Sequence, residues 1–102
     1  MEIKELIIRK NNADKLELSW ELSDGDQSSY ELFLIQRGSI VERVKTSSAA
    51  MKCSLRTMIE PMKEYALLLT VKSGQLLSSV RAGFYSDSNA STLQSISYQY
   101  VS

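Results

Sequence analysis

The sequence predicts an all-β protein, a sandwich of about seven antiparallel strands forming one domain. Three observations support this prediction. Short segments alternate apolar with polar residues, and turn-forming residues separate them at intervals of roughly eight to twelve residues. The chain has 102 residues, the length of one domain. Apolar residues make up 43% and charged residues 24%, which is ordinary globular usage and argues against disorder over most of the chain.

The clearest strand lies over residues 15–22. Its apolar residues occupy every second position and alternate with lysine, glutamate and serine: Leu16, Leu18, Trp20 and Leu22. A period of two predicts a strand with one buried face. A first strand is predicted over residues 3–9, with a loop at 11–14, and the acidic, glycine-containing segment 23–26 predicts a turn.

Residues 29–36 are predicted to form a strand with apolar residues on both faces. Tyr30, Leu32 and Leu34 share one face, and Phe33 and Ile35 share the other. This pattern predicts a strand that is central in its sheet or partly covered by a neighbour.

The short segment 37–39 predicts a tight turn after that strand. A shorter strand is predicted next, over residues 40–46, with Ile40 and Val44 as its apolar points.

Residues 49–60 allow two interpretations. Met51, Leu55 and Met58 follow a helical spacing, with Pro61 as a stop. Met51, Cys53 and Leu55 also alternate as in a strand. Periodicity alone leaves both alternatives open.

The second half of the chain predicts a hairpin. Residues 65–71 alternate, 73–74 form a turn, and 77–85 form the partner strand, with Val80 and Phe84 as its apolar points. We therefore expect the sandwich to span residues 1–86. Residues 87–102 are expected to be a polar tail, a linker or an extra edge strand, and we favour a tail or linker because 86–91 are small and polar.

Several residues together resemble a fibronectin type III domain. Leu18 and Trp20 resemble its second-strand L-x-W, Tyr30 occupies the usual aromatic position of the third strand, and Pro61 and Tyr65 fit L-x-P-x-x-x-Y. The resemblance implies a Greek-key, immunoglobulin-like sandwich with a strand over 49–60. It also implies that the Tyr65 hydroxyl bonds to upstream backbone. The structural core expected on this basis comprises Trp20, Tyr30, Leu55, Tyr65, Leu67 and Leu69.

One position departs from the family pattern. Arg56 stands five residues before Pro61, where the family usually has an apolar residue, and Leu55 is one step away. A bulge would accommodate this shift.

A narrower resemblance is to the fibronectin-like domain at the N-terminus of bacterial alpha-L-rhamnosidases. It rests on residues 18–22, Gln27, Tyr30, Pro61 with Met62, and Tyr65. The second tryptophan and the W-D-S-G stretch of those domains are absent here.

The composition excludes several chemistries. The chain has no histidine and one cysteine, so histidine-dependent triads, internal disulfides and cysteine-histidine zinc sites are impossible. The glycines are isolated, so no phosphate loop is present. Asp24 and Asp26 sit in a turn and are too few for a calcium loop. We expect no catalytic residues, metal or cofactor.

Charge and hydropathy narrow the expected partners. Lysine plus arginine and aspartate plus glutamate number 12 each, and the nearest basic patch, Arg37 with Arg43 and Lys45, is read as a solvated strand face. We expect no nucleic acid and no membrane partner, and a monomer in isolation. The charged N-terminus does not resemble a signal peptide. The chain is therefore either cytoplasmic or a fragment of an exported, extracellular or cell-surface protein.

Two functional hypotheses follow. The first is a non-catalytic spacer, docking or accessory domain of a larger protein such as a bacterial carbohydrate-active enzyme, contacting other domains of the chain or a protein partner. The second is a self-standing adhesion or receptor-type binding module. The residues expected to form a partner surface are Phe33, Ile35, Tyr98 and Tyr100.

Overall fold

The computed structural model describes residues 2–86 and, as backbone, residues 95–98. These residues form eight strands in two antiparallel sheets, with no helix among them. The first sheet has the order β5-β2-β1-β8 and the second β4-β3-β6-β7. In chain order the strands are β1 (Ile3–Lys10), β2 (Lys15–Leu22), β3 (Ser29–Gln36), β4 (Ser39–Thr46), β5 (Lys52–Met58), β6 (Glu64–Ser73), β7 (Leu76–Tyr85) and β8 (Ser95–Tyr98).

Strands β1 to β7 alternate between the sheets as a Greek-key sandwich requires. The chain builds β1 and β2 in the first sheet, crosses to build β3 and β4, returns for β5, and crosses again for β6 and β7. The predicted all-β sandwich of fibronectin type III or immunoglobulin-like architecture is therefore confirmed, with one further strand, β8, beside β1.

The ambiguous middle segment is a strand, β5, and not a helix. Its pairing with β2 contains a bulge, because Ser54 lies opposite Glu17 whereas Met58 lies opposite Lys15. Leu55 is buried and Arg56 is exposed. The bulge is the physical reason for the shift of the apolar position relative to the family pattern.

Strand β8 pairs antiparallel with β1 over Leu6–Arg9. The rest of the predicted tail, residues 87–94 and 99–102, lies outside the described residues. The linker interpretation of those residues stays a prediction.

The core between the sheets is built from the inward-facing positions of both. Trp20 lies edge-on to Tyr30 from the opposite sheet, with ring centroids 5.0 Å apart. The buried amide of Gln27 accepts a hydrogen bond from Trp20 Nε1 at 2.7 Å and donates to the carbonyls of Ser48 and Ala50 at 2.7 and 2.9 Å. The tryptophan therefore has its polar atom satisfied, and the β4–β5 connection is tied to the core.

Tyr65 makes the contact that the resemblance implies. Its hydroxyl accepts a hydrogen bond of 3.0 Å from the backbone N–H of Glu60, five residues upstream, at the crossover from β5 to β6. Its ring stacks on Phe84, with centroids 5.6 Å apart.

Two tight hairpins set the register of the second sheet. Arg37 and Gly38, between β3 and β4, both have positive φ, at 52° and 78°, as a type I′ turn requires. Gly74, at the first position of the two-residue loop between β6 and β7, has φ 61°, the position that a type II′ turn reserves for glycine.

Candidate functional site

The outer face of the β4-β3-β6-β7 sheet carries a row of apolar side chains. Phe33 on β3 lies opposite Leu68 on β6, and Ile35 lies opposite Ala66 on β6. Ile35 also lies opposite Ile40 on β4, because the register shifts between Leu34 and Ile35. We name this set the apolar strip: Phe33, Ile35, Ile40, Ala66 and Leu68.

The residues of the apolar strip stay partly open to solvent. Ile40 is 60% exposed, and the other four are half-buried. Ile40, predicted as an apolar point of its strand, lies opposite Ile35 on the outer face, because the register shifts between Leu34 and Ile35.

Phe33 and Leu68 form the middle row of the strip, and an arginine lies at each end of that row. Arg43 lies opposite Phe33 on β4, and Arg81 lies opposite Leu68 on β7. The Arg43 guanidinium lies 5.7 Å from the centroid of the Phe33 ring and donates to one carboxylate oxygen of Glu31 at 2.7 and 3.0 Å. Arg43 is thus fixed over the aromatic ring by a charge-assisted hydrogen bond.

The structure separates the predicted site residues into two groups. The residues expected in the core are all buried: Trp20, Tyr30, Leu55, Tyr65, Leu67 and Leu69. Phe33 and Ile35 lie on the outer face. The side chain of Tyr98 and the whole of Tyr100 lie outside the described residues, so their predicted role is left as a prediction.

Sequence reasoning missed three members of the strip. Ala66 and Leu68 are intervening residues of the alternating segment 65–71, and an apolar residue at such a position is the signal of an apolar outer face. Ile40 could not be assigned to that face without the register of β3 and β4.

A second feature lies where β4 and β5, the edge strands of different sheets, run side by side. The Glu42 carboxylate of β4 accepts four hydrogen bonds from β5: from the N–H of Arg56 at 3.0 and 2.9 Å, and from the N–H and hydroxyl of Thr57 at 2.7 and 2.6 Å. Partial burial opposes ionisation, but the hydrogen bonds from Thr57 and Arg56 outweigh it and lower the pKa of Glu42. The two sheets are joined here by a side chain that caps backbone amides.

Tyr30 and Cys53 lie next to each other beside this junction, and neither is activated. Burial, with a contribution from Cys53, raises the pKa of Tyr30 to about 12. Burial also raises the pKa of the Cys53 thiol, which is 8% exposed as a residue. Both groups stay protonated at neutral pH, so this pair is a packed polar contact and supplies no nucleophile.

The described residues contain no cluster of acidic or cysteine side chains arranged to hold a metal ion. Within the same part of the chain, no helix has the length and apolarity needed to cross a membrane.

No family model matches the chain, and no curated protein does.

Solved structures with the same fold are numerous. A computationally redesigned β-sandwich protein superposes with a TM-score of 0.67 at 15% identity, covering 87% of this chain and 97% of that one. A myokine superposes with a TM-score of 0.63 at 18% identity, covering 78% and 89%. Domains d3–d4 of the rat CD45 extracellular region give a TM-score of 0.66 at 12% identity, covering 83% of this chain and 48% of that chain. The chain thus spans about half of that two-domain fragment. At these identities the likeness shows the fold alone: an antiparallel β-sandwich of fibronectin type III or immunoglobulin-like architecture.

Proposed function

We propose that this chain is a non-catalytic β-sandwich module that docks onto another protein surface through the apolar strip. The observation that carries the proposal is the strip itself, five apolar residues brought into register on one outer face and left partly exposed. Covering apolar surface is worth about 25 cal/mol per Å² removed from water. A partner that seals the strip therefore gains free energy that the isolated domain leaves unused.

The ends of the strip define the partner's chemistry. Arg81 is exposed, and among the described residues it has no ion-pair partner. Arg43 stands at the other end, 56% exposed although paired with Glu31. A fitting partner has an apolar centre and carboxylates at its rim, because charges at a rim fix orientation while the centre supplies affinity.

Three features support a non-catalytic role. The chain has no histidine, the cysteine thiol has a raised pKa, and Glu42 is held by four hydrogen bonds. None of these groups is available as a general base, nucleophile or acid.

The finer proposal places the module in a larger protein, as a spacer, docking or accessory domain, with a bacterial carbohydrate-active enzyme such as an alpha-L-rhamnosidase as the specific case. It rests on the motif resemblance around Trp20 and Tyr65. The CD45 fragment supports the proposal that the module belongs to a larger protein. That fragment comprises two domains, and this chain covers 48% of it. Sequencing the surrounding gene tests it, and a gene that encodes only this domain would contradict it.

The alternative is a self-standing adhesion or receptor-type binding module. An exposed apolar strip serves this role equally well, and the test below applies to both hypotheses.

The test compares two matched substitutions on opposite faces. Ile35→Lys places a charge in the apolar strip, and Ile7→Lys places one at a half-buried apolar position on the outer face of the other sheet. The purified domain and both variants are used to isolate a partner from cells of the source organism. The dissociation constant of the purified partner is then measured, together with hydrogen exchange of the bound domain.

We expect Ile35→Lys to weaken binding by at least about tenfold, equivalent to roughly 1.4 kcal/mol. Ile7→Lys should bind like the wild type, and protection from exchange should concentrate on β3 and β6. Equal affinities for both variants, or protection elsewhere, would refute docking through the apolar strip. Hydrolase activity of the homogeneous domain would refute the non-catalytic assignment.

A further inference from the structure

We infer that the groove along β4 and β5 binds an extended acidic peptide. This groove, which we name the β4–β5 seam, runs along the free edges of the two sheets, and Arg43 is the residue that it shares with the end of the apolar strip. β4 and β5 end their respective sheets and do not pair with each other. Each therefore presents one side of its backbone to the seam.

The walls of the seam are basic although the chain as a whole is neutral. Two open grooves of about 620 and 610 Å³ lie next to each other here and have Val44 and Ser54 in both linings. Among their lining residues the charged ones are five cations and two acids: Arg9, Arg43, Lys45, Lys52 and Arg56, with Glu17 and Glu42. All five cations are exposed, but Arg43 is already paired with Glu31, so the charge available to a partner comes from the other four.

The two acids offset part of this charge, because a hydrogen bond from an amide leaves a carboxylate ionised, but the four other cations outnumber them. Glu42 is already engaged by the amides of Arg56 and Thr57, and Glu17 accepts a hydrogen bond of 3.0 Å from the side chain of Asn11. The seam therefore keeps a small excess of positive charge, contributed by β4, by β5 and by Arg9 of β1. Such an excess attracts an anionic partner and raises its rate of association.

Glu42 illustrates how β5 holds a carboxylate. It is a carboxylate, and it is held by two backbone N–H groups and one hydroxyl of β5. The chain thus places its own carboxylate at one end of the seam, where the free edge of β5 supplies donors. Further carboxylates along the seam would meet the exposed basic side chains of the two strands.

The spacing of the cations fits an extended chain. Alternate residues of a strand are about 6.6 Å apart and project to the same side. Arg43 and Lys45 are alternate residues on β4, and Lys52 and Arg56 lie on β5. An extended peptide with a carboxylate at every second residue has the same repeat, so several ion pairs can form at once.

A peptide fits these features better than a nucleic acid does. A strand edge donates and accepts backbone hydrogen bonds, which an extended polypeptide can return. Phosphate recognition by contrast draws on more clustered arginine and lysine than the chain carries. Binding of a nucleic acid or a sulfated polysaccharide is therefore an outcome that counts against the proposal.

The probe is a synthetic octapeptide that alternates glutamate with threonine, labelled with a fluorophore at one end. Its lysine-for-glutamate and glutamine-for-glutamate counterparts serve as peptide controls. Anisotropy titrations against the full chain are run at low salt and at about 0.15 M ionic strength, where the Debye length is about 8 Å. The double substitution Lys45→Glu with Lys52→Glu tests the seam, and Lys4→Glu with Lys72→Glu makes the same change of charge at exposed sites elsewhere.

We expect the glutamate peptide to bind, the lysine peptide not to bind, and affinity to fall with salt. The double variant in the seam should bind the glutamate peptide at least about tenfold more weakly than the wild type. The affinity of the control double variant should fall less than about threefold. Circular dichroism on both variants checks that they remain folded. Amide shifts in NMR spectra of the complex should include Val44 and Ser54.

Three results would overturn the inference: no binding of the glutamate peptide to the wild type, equal losses in both double variants, or tighter binding of a heparin-type polysaccharide or an oligonucleotide than of the peptide. Ile35→Lys should leave peptide binding unchanged. Failure of the seam and failure of the apolar strip are therefore separable.

Discussion

The two outer faces of this sandwich differ in polarity, although the strands of both sheets alternate inward and outward residues in the same way. On the first sheet, cross-strand neighbours that face outward are polar or charged, as with Arg9 opposite Glu17 and Glu5 opposite Glu21. Ile7 on β1 and Met58 on β5 are apolar exceptions. On the second sheet, the corresponding positions hold the apolar strip. Period-two alternation assigns residues to faces, but the chemistry of the outward positions decides whether a face meets water or another protein.

The largest expected effect on the free energy of unfolding is the difference between an inward and an outward position of β3. Leu34 is fully buried and Ile35 is half-exposed, on opposite faces of β3. Leu34→Lys should abolish folding or lower the free energy of unfolding by more than about 4 kcal/mol, because it buries an unpaired charge. Ile35→Lys should cost less than about 1 kcal/mol, because its charge can reach water. Urea denaturation measures the free energy of unfolding of both variants. An equal loss of stability in the two would contradict the assignment of Ile35 to an outer face.

The next effect concerns the core that both faces share. Trp20 belongs to the sheet with the polar face but contacts Tyr30 of the other sheet. Trp20→Ala should lower the free energy of unfolding by roughly 3–5 kcal/mol, through lost packing and an orphaned Gln27 amide. The neighbouring outward residue supplies the control, since Ser19→Ala should stay within about 0.5 kcal/mol. A near-zero effect of Trp20→Ala in chemical denaturation would remove the basis of the core.

The smallest effect concerns the β4–β5 seam, which joins the two sheets. Glu42 has a pKa below its ordinary value of 4.5 in the folded protein. Its contribution to stability is therefore fully present above about pH 4.5 and is lost as the pH falls through the folded-state pKa. Glu42→Gln should cost about 1 kcal/mol at pH 7, a value discounted for solvent exposure.

The pH dependence supplies the check on that prediction. The difference in stability between wild type and Glu42→Gln should shrink as the solution is acidified below pH 4.5. Glu21→Gln on the polar face should show little difference at either pH. A gap between wild type and Glu42→Gln that does not change with pH would show that the carboxylate charge does not stabilise the seam.

Much of the fold could be predicted because its signals are local. The alternation in 15–22 identified the buried face of β2, and the apolar residues on both sides of 29–36 identified a central strand whose outer face is not fully solvated. The Tyr65 contact followed from a family motif that specifies one hydrogen bond.

The rest depends on pairing between distant segments. Ile40 joins the apolar strip only because the β3–β4 register shifts at Ile35. The basic seam exists only because the topology brings β5 beside β4. Lys52 and Arg56 then lie near Arg43 and Lys45, two of the three cations that the sequence predicted as a solvated strand face. Local patterns carry no information on either arrangement.

The buried amide of Gln27 has a consequence for engineering this protein. The β4–β5 connection is rich in serine and alanine, and its composition suggests a site where a tag or a foreign loop could be inserted freely. Its Ser48 and Ala50 carbonyls, however, are held by Gln27, which in turn holds Trp20. An insertion at that connection would disturb a chain of contacts that reaches the centre of the domain. The type I′ turn at Arg37 and Gly38, where no side chain is buried, is the safer place to extend the chain.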